Sequence, residues 1–255
     1  MTVESENAAG RRIVLVTGAS RGIGAETARL FGAGGDHVIV NYREKIKRAQ
    51  AVADAILADG GSASVAGADI ADPDSVRTLV AGIVERFGRL DVLVLNASGG
   101  LELGAAPGYA MALNRDAQVR LVRMFLPLMA SGSRIVFVTS HQAHFHGRKP
   151  VPADYEPIAA SKRAGENSLR AMIPELAELG VTLTVVSGDM IDGTIIVRLA
   201  ERRDPDAVAA RRDNGRLPTI AEFAAAVVGS TEGATESGHT IYVGGQDYLA
   251  EAGAV

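Results

Sequence analysis

A chain of 255 residues with 47% hydrophobic composition is long enough to bury one sizeable core, and α/β chains of this length are commonly one domain. A net charge of −4 leaves no basic excess to attract nucleic acid or an anionic membrane, and the absence of cysteine excludes disulfides, thiolate nucleophiles and zinc–cysteine sites. Residues 1–10 lack the positive start and apolar run of a signal peptide, and no stretch of about 18 apolar residues could span a bilayer, so a cytoplasmic protein is expected.

Residues 1–11 read as a flexible N-terminus and 12–255 as a single domain. The first strand-like run, 12–17, leads into Val14-Leu15-Val16-Thr17-Gly18-Ala19-Ser20-Arg21-Gly22-Ile23-Gly24, followed by a helical pattern with Ala25, Ala28, Leu30 and Phe31. Glycine is needed where a turn adopts angles a Cβ would obstruct and where a pyrophosphate approaches the chain. The helix beyond aims free N–H groups at the phosphates. A second strand, 37–41, ends in Asn41-Tyr42-Arg43. An acidic residue there would accept hydrogen bonds from both ribose hydroxyls and repel a 2′-phosphate. Asn41 stands in its place, and Arg21 and Arg43 offer two guanidinium groups for a phosphate, so NADP(H) is expected over NAD(H).

Further runs at 62–66, 90–96, 133–139, 181–187 and 239–243 alternate with helical patterns. Short buried strands separated by helices predict an α/β fold, with a parallel sheet doubly wound and helices on both faces. Ligands in such sheets bind beyond the carboxyl ends of the strands, where Gly18, Asn41, Asp69, Asn96, Ser140 and Ser187 all fall. Between 198 and 216 arginine and aspartate alternate, which reads as a solvated helix.

The glycine spacing after Thr17 resembles that of the short-chain dehydrogenase/reductase family, and the resemblance runs from about residue 12 to 245. It implies a Rossmann domain with a seven-stranded parallel sheet. Asp69, with Ile70 beside it, matches the family's adenine contact, and Asn96-Ala97-Ser98-Gly99 resembles its Asn-Ala-Gly segment. Asn114, Ser140 and Lys162 match its catalytic asparagine, serine and lysine. Ser187-Gly188 replaces the usual Pro-Gly beside the nicotinamide, with Gly188 keeping the turn and Thr194 as counterpart of the threonine that bonds the carboxamide. The resemblance further implies a substrate lid at 198–216 and, through the strand in 238–245, a homo-oligomer, tetramer or dimer.

The catalytic segment departs from the family. Where members carry a tyrosine four residues before the lysine, this chain has Ile158, which transfers no proton. Tyr155, seven residues before Lys162, is almost two helical turns away and could share a face with it. That gap resembles the enoyl-thioester reductases. Pro157 belongs in the first turn of a helix and pushes Glu156 toward an extended conformation, which places Tyr155 just ahead of the helix. The slightly long segment 141–154 leaves room for the tyrosine to fold back over the site. His141, beside Ser140, is the competing proton donor, against a purely packing role. With His144 and His146 it matches no familiar zinc spacing, and no metal is expected.

The sequence thus reads as an NADP-dependent oxidoreductase moving a hydride between nicotinamide and a carbonyl or alcohol. Lys162 would hold the nicotinamide ribose, Ser140 orient the oxygen, Asn114 help hold a relay water and Tyr155 donate the proton. Enoyl-thioester reduction and a nucleotide-binding sensor or scaffold with little turnover are the alternatives.

Overall fold

The computed structural model describes residues 10–100, 106, 108–213, 215–251 and 253. Seven parallel strands form one sheet: β1 Ile13–Val16, β2 His37–Tyr42, β3 Ser62–Gly67, β4 Val92–Leu95, β5 Arg134–Ser140, β6 Thr182–Gly188 and β7 Thr240–Val243, in the order β3-β2-β1-β4-β5-β6-β7. The chain leaves β1 toward one edge and later restarts at β4 on its other side, which opens a crevice at the carboxyl ends of these two strands.

The period-2 alternation of a strand explains how β1 feeds two cores at once. Ile13 and Leu15 pack on one face with Val76, Leu79 and Ile83 of helix α3 (Pro73–Phe87) and Leu121, Val122 and Phe125 of α4 (Ala117–Phe125). Val14 and Val16 pack on the other with Ala28 and Phe31 of α1 (Gly22–Ala33) and Val52 and Ile56 of α2 (Ile46–Ala58). Each fully buried side chain of this kind contributes about 1.5–3 kcal/mol of transfer free energy, and truncating Leu121 or Phe125 to alanine would cost about 2–5 kcal/mol.

All seven expected strands are present, with ends that differ by one or two residues. The 90–96 run shortens to β4 at its carboxyl end, where Asn96 N–H goes to the Thr17 hydroxyl and not to a neighbouring strand's backbone. Residues 1–9 of the N-terminal segment expected to be flexible lie outside the described residues, but Arg11 Nη1 donates to Gly35 O at 2.9 Å and Arg12 grips Asp36 through two hydrogen bonds. The 198–216 segment, read as one solvated helix, forms two. After β5 come α5 (His141–His144), α6 (Glu156–Arg170) and α7 (Ile173–Glu178); after β6 come α8 (Ile195–Arg203) and α9 (Pro205–Asp213), then α10 (Ile220–Gly229) and, beyond β7, α11 (Gln246–Glu251). Pro205 cannot continue α8, and a small apolar cluster of Val197, Val208 and Leu217 holds the pair together. Among the described residues no helix is long and apolar enough to cross a membrane.

Candidate active site

The glycine turn is braced from three sides. The Thr17 hydroxyl donates to Val94 O and accepts from the amides of Asn96 and Ala97, each at 3.0 Å. Asn96 Nδ2 donates to Thr17 O at 2.9 Å and Gly18 O at 3.3 Å. Asn41 Oδ1 accepts from Gly18 N–H at 3.2 Å while its Nδ2 donates to Ala66 O and Ala68 O. Asn41 and Asn96, expected to face the nucleotide, therefore have their carboxamides engaged in holding the turn. What Asn41 supplies is the absence of a carboxylate at the end of β2.

The three glycines serve different ends. Gly18 and Gly22 have φ of 63° and 57°, the left-handed region that favours glycine. A Cβ on Gly22 would meet nothing within 4 Å, whereas one on Gly24 would lie 2.5 Å from Asn96 Nδ2. Gly24 lets the helix seat against β4; Gly22 faces open space. The helix beginning there has no side-chain cap on its N-terminus and no acidic residue in its first turn, and its first intrahelical bond is made by Ala25. Its leading amides are orphan donors. α3, by contrast, is capped by Asp72.

Ser20 and Ile23 sit half-buried around this opening, and Arg21 is exposed. Tyr42 packs its ring on Gly67, where a Cβ would come within 2.9 Å of the phenol oxygen. Arg43, exposed, pairs with Glu44 at 3.1 Å and donates to the Tyr109 hydroxyl at 2.6 Å. Asp69 accepts from Ala71 N–H at 2.9 Å, Ile70 is buried, Ala97 backs Gly18, and Ser98 is exposed. An uncapped helix N-terminus, open space over Gly22 and an exposed guanidinium at Arg21 fit the phosphates of a dinucleotide.

Ser140 closes β5, and its Oγ lies 3.2 Å from the Tyr155 phenol oxygen while accepting from Ala143 N–H at 3.3 Å. Tyr155 stands just before α6, with Pro157 in that helix's first turn and the tyrosine N–H on Pro152 O. Glu156 is the first helical residue and not extended as expected, because a proline at the second helical position has a fixed φ that matches the helix. Burial pushes its phenol above the ordinary tyrosine range, partly countered by the Ser140 hydrogen bond. Lys162 is buried on the same helix, and burial lowers its ammonium from 10.5 to about 8. Asn114 lies on a π turn, Ala112–Asp116, and is buried; its Nδ2 donates to Gly99 O at 2.9 Å and to the Ser161 hydroxyl at 3.0 Å, and its Oδ1 accepts from Gly99 N–H at 3.3 Å. The carboxamide expected to hold a relay water thus ties the β4 exit to α6. Ile158 is buried against Gly100, where a Cβ would lie 3.2 Å from it and 2.8 Å from Ala110.

The family model of the short chain dehydrogenases matches residues 12–204. The chain belongs to that family. Among curated relatives, 1-cyclohexenylcarbonyl-CoA reductase of Streptomyces collinus is 29% identical, the match covering 98% of this chain and 89% of the relative. A versicolorin reductase of Emericella nidulans is 30% identical over 76% of this chain and 75% of its own length. Among solved structures, angucycline C-6 ketoreductase LanV with bound NADP superposes with a TM-score of 0.78 at 29% identity, covering 92% of this chain and 95% of that one.

Against this family background the histidines part company with the site. His141 points away from Tyr155: its Nδ1 meets the Ser187 hydroxyl at 2.9 Å and its Nε2 the Gly244 carbonyl at 3.0 Å. Burial lowers its pKa, and both of its ring nitrogens are engaged away from Tyr155's partner Ser140. His144 bridges Glu166 at 2.9 Å and Tyr242 at 3.1 Å, and His146 pairs with Glu156 at 2.6 Å. Gly188 does not keep a turn. Its φ is not positive, and the Phe223 ring lies 2.4 Å from where its Cβ would be, so close packing explains the glycine. Thr194 caps α8, accepting from Val197 N–H at 3.4 Å and donating to Ile191 O at 2.8 Å.

Three supporting residues escaped the sequence reading. Ser161 links Asn114 to the helix of Lys162, and Asp189 pairs with Arg211 of α9, fastening the 198–216 segment to the end of β6. Glu166 is fully buried; burial alone would raise its carboxyl, but His144 and Arg170 outweigh that and hold it below the ordinary range. Its arginines, Arg163 and Arg170, stand three residues before and four after it, a spacing visible in the sequence.

Proposed function

We propose that this protein is an NADP-dependent oxidoreductase that reduces a carbonyl compound, and the observation that carries the reading is the Ser140–Tyr155 hydroxyl pair, 3.2 Å apart, on the edge that also holds buried Lys162. The glycine turn, the leading amides of α1 and Arg21 hold the cofactor's phosphates, with Arg43 beside them and Asn41 leaving the 2′-phosphate unopposed. Bound there, the dinucleotide supplies the hydride. Two hydroxyls this close can grip one substrate oxygen from two sides, Ser140 as orienting donor and Tyr155 as general acid. A phenol raised by burial is protonated at neutral pH, which is the state that reduction requires. Lys162 places a cation at the ribose and keeps the site's potential positive as negative charge develops on the oxygen. LanV and the versicolorin reductase, named for reductions, support this assignment.

A second reading is reduction of an enoyl thioester, favoured by the seven-residue step from Tyr155 to Lys162 and by the likeness to 1-cyclohexenylcarbonyl-CoA reductase. The same hydroxyl pair would then grip the thioester oxygen while the hydride goes to the β-carbon. Following NADPH absorbance against a panel of ketones, quinones and α,β-unsaturated acyl thioesters separates the two. Oxidation with carbonyls supports the first reading and oxidation with enoyl thioesters alone the second, while tight NADPH binding without oxidation by any of them refutes both in favour of a nucleotide sensor. The lid at 198–216 and a cytoplasmic homodimer or homotetramer, paired through the half-exposed edge strand β7, complete the proposal; light scattering of the purified protein checks the assembly.

A further inference from the structure

The ends of three strands meet on one imidazole. His141 follows Ser140 directly, so its backbone is fixed by the end of β5. Its ring reaches across the edge to Ser187, next to last in β6, and to the carbonyl of Gly244, which follows β7. Gly244 and Gly245 both have positive φ, and a Cβ on Gly245 would lie 2.9 Å from the imidazole Cδ2, so the chain bends tightly around the ring. Tyr248 of α11 stacks on it at 5.8 Å and Phe145 meets it edge-on at 6.4 Å.

The hydrogen bonds fix the tautomer. A carbonyl only accepts, so Nε2 carries the proton toward Gly244 and Nδ1 accepts from the Ser187 hydroxyl. Ser187 stands where the family resemblance places proline, whose ring would itself have fixed φ. Serine has no such restraint, and the bond to His141 supplies one. From Ser187 the chain passes through Gly188 to Asp189, whose N–H bonds Val243 O at 3.0 Å.

We propose that His141 is a positioning residue that sets the distance between the Ser140–Tyr155 hydroxyl pair and the β6 exit segment flanking the nicotinamide, with Ser187 as its partner. The proposal rests on the dinucleotide reading above. Glutamine can reproduce both bonds, donating through Nε2 to Gly244 and accepting at Oε1 from Ser187; leucine can make neither. The test compares His141→Leu, His141→Gln and Ser187→Ala with the unaltered protein. NADPH affinity is read by fluorescence titration, the setting of the bound nicotinamide by circular dichroism in its own absorption band, and turnover with 9,10-phenanthrenequinone as probe.

His141→Leu should lower kcat by about tenfold or more and weaken the nicotinamide dichroism, with the NADPH Kd changed less than about threefold. His141→Gln should restore both signals most of the way, and Ser187→Ala, which removes one bond, should fall between. Unchanged dichroism and turnover in His141→Leu would overturn the proposal, as would a glutamine variant as impaired as leucine, since that would make the imidazole itself indispensable. If His141→Leu does not fold, Ser187→Ala decides alone: unchanged dichroism and kcat there overturn it. Failure of the unaltered protein to bind NADPH would strike the dinucleotide reading instead, and this proposal with it.

Discussion

Replacing Lys162 with methionine should make the protein more stable while removing its activity. The ammonium is buried, and burial alone is what lowers it from 10.5 to about 8. Among the described residues it has no countercharge. The unfolded chain leaves it at its ordinary value, so below pH 8 both states are charged and the folded state bears the whole penalty. A fall of about 2.5 at roughly 1.36 kcal/mol per pH unit amounts to about 3 kcal/mol. Between pH 8 and 10.5 the folded protein has released its proton while the unfolded chain retains its own, and the penalty shrinks to nothing.

Lys162→Met, of similar length and apolar, should therefore raise stability by about 3 kcal/mol at pH 7, or about 6–12 °C in Tm for a chain of this size. That gain should fade toward zero by about pH 10.5. Taking the difference between the two proteins at each pH, by thermal or urea denaturation without cofactor, cancels the titration of every other group. A gap that is absent at pH 7, or that stays constant from pH 7 to 10.5, would refute the reasoning. A cation kept at this cost has to act elsewhere. Reductive turnover of the unaltered enzyme should decline above pH 8 as the charge is lost, and Lys162→Met should show little turnover at any pH.

Tyr155→Phe removes the proposed general acid and leaves the ring, so turnover should fall by about a hundredfold or more with NADPH affinity changed less than about threefold; retention of most turnover would transfer the proton step elsewhere. Gly22→Val puts a branched side chain into the open space over the turn at a φ that disfavours it, and should weaken NADPH binding by about tenfold or more with far-ultraviolet dichroism retained. NADPH should bind at least about tenfold tighter than NADH, about 1.4 kcal/mol. Arg21→Ala should narrow that gap more than Arg43→Ala, because Arg43 is already engaged with Tyr109 and Glu44; calorimetry showing no preference in the unaltered protein would refute the assignment.

What could be read from the sequence is what local rules determine. Alternating apolar runs give strands, strands separated by helices give a parallel doubly wound sheet, and the glycine turn follows from its own φ requirements. Pro157 even located Tyr155 ahead of its helix. The contacts that local rules do not determine involve partners far along the chain. The carboxamides of Asn41 and Asn96, expected at the nucleotide, are engaged by Gly18 and Thr17, 23 and 79 residues away. His141, which the sequence leaves between an acid and a packing role, is held by Ser187 and Gly244, 46 and 103 residues away. Gly188 looks like a turn glycine until Phe223 of α10 is found against it. No periodicity encodes such pairs.

Position 158 lies one helical turn before Lys162, facing Gly100 and Ala110, and isoleucine there closes an apolar contact that anchors the exit of β4 to α6. A phenol at that position would have to aim its hydroxyl past these neighbours. Moving the donor back to position 155 takes it off the helix, where side-chain direction is dictated by the 3.6-residue repeat, and onto a loop end whose direction is set by Pro152 behind it and Ser140 in front. The hydroxyl thus gains a partner on β5 instead of one on its own helix. The proposed proton donor and the proposed oxygen-orienting serine then lie 3.2 Å apart. Either carbonyl or enoyl-thioester reduction needs that pair around one oxygen. What differs between them is which substrate carbon stands before the hydride, a choice that on the proposed reading falls to the β6 exit and the helices latched to it through Asp189 and Arg211.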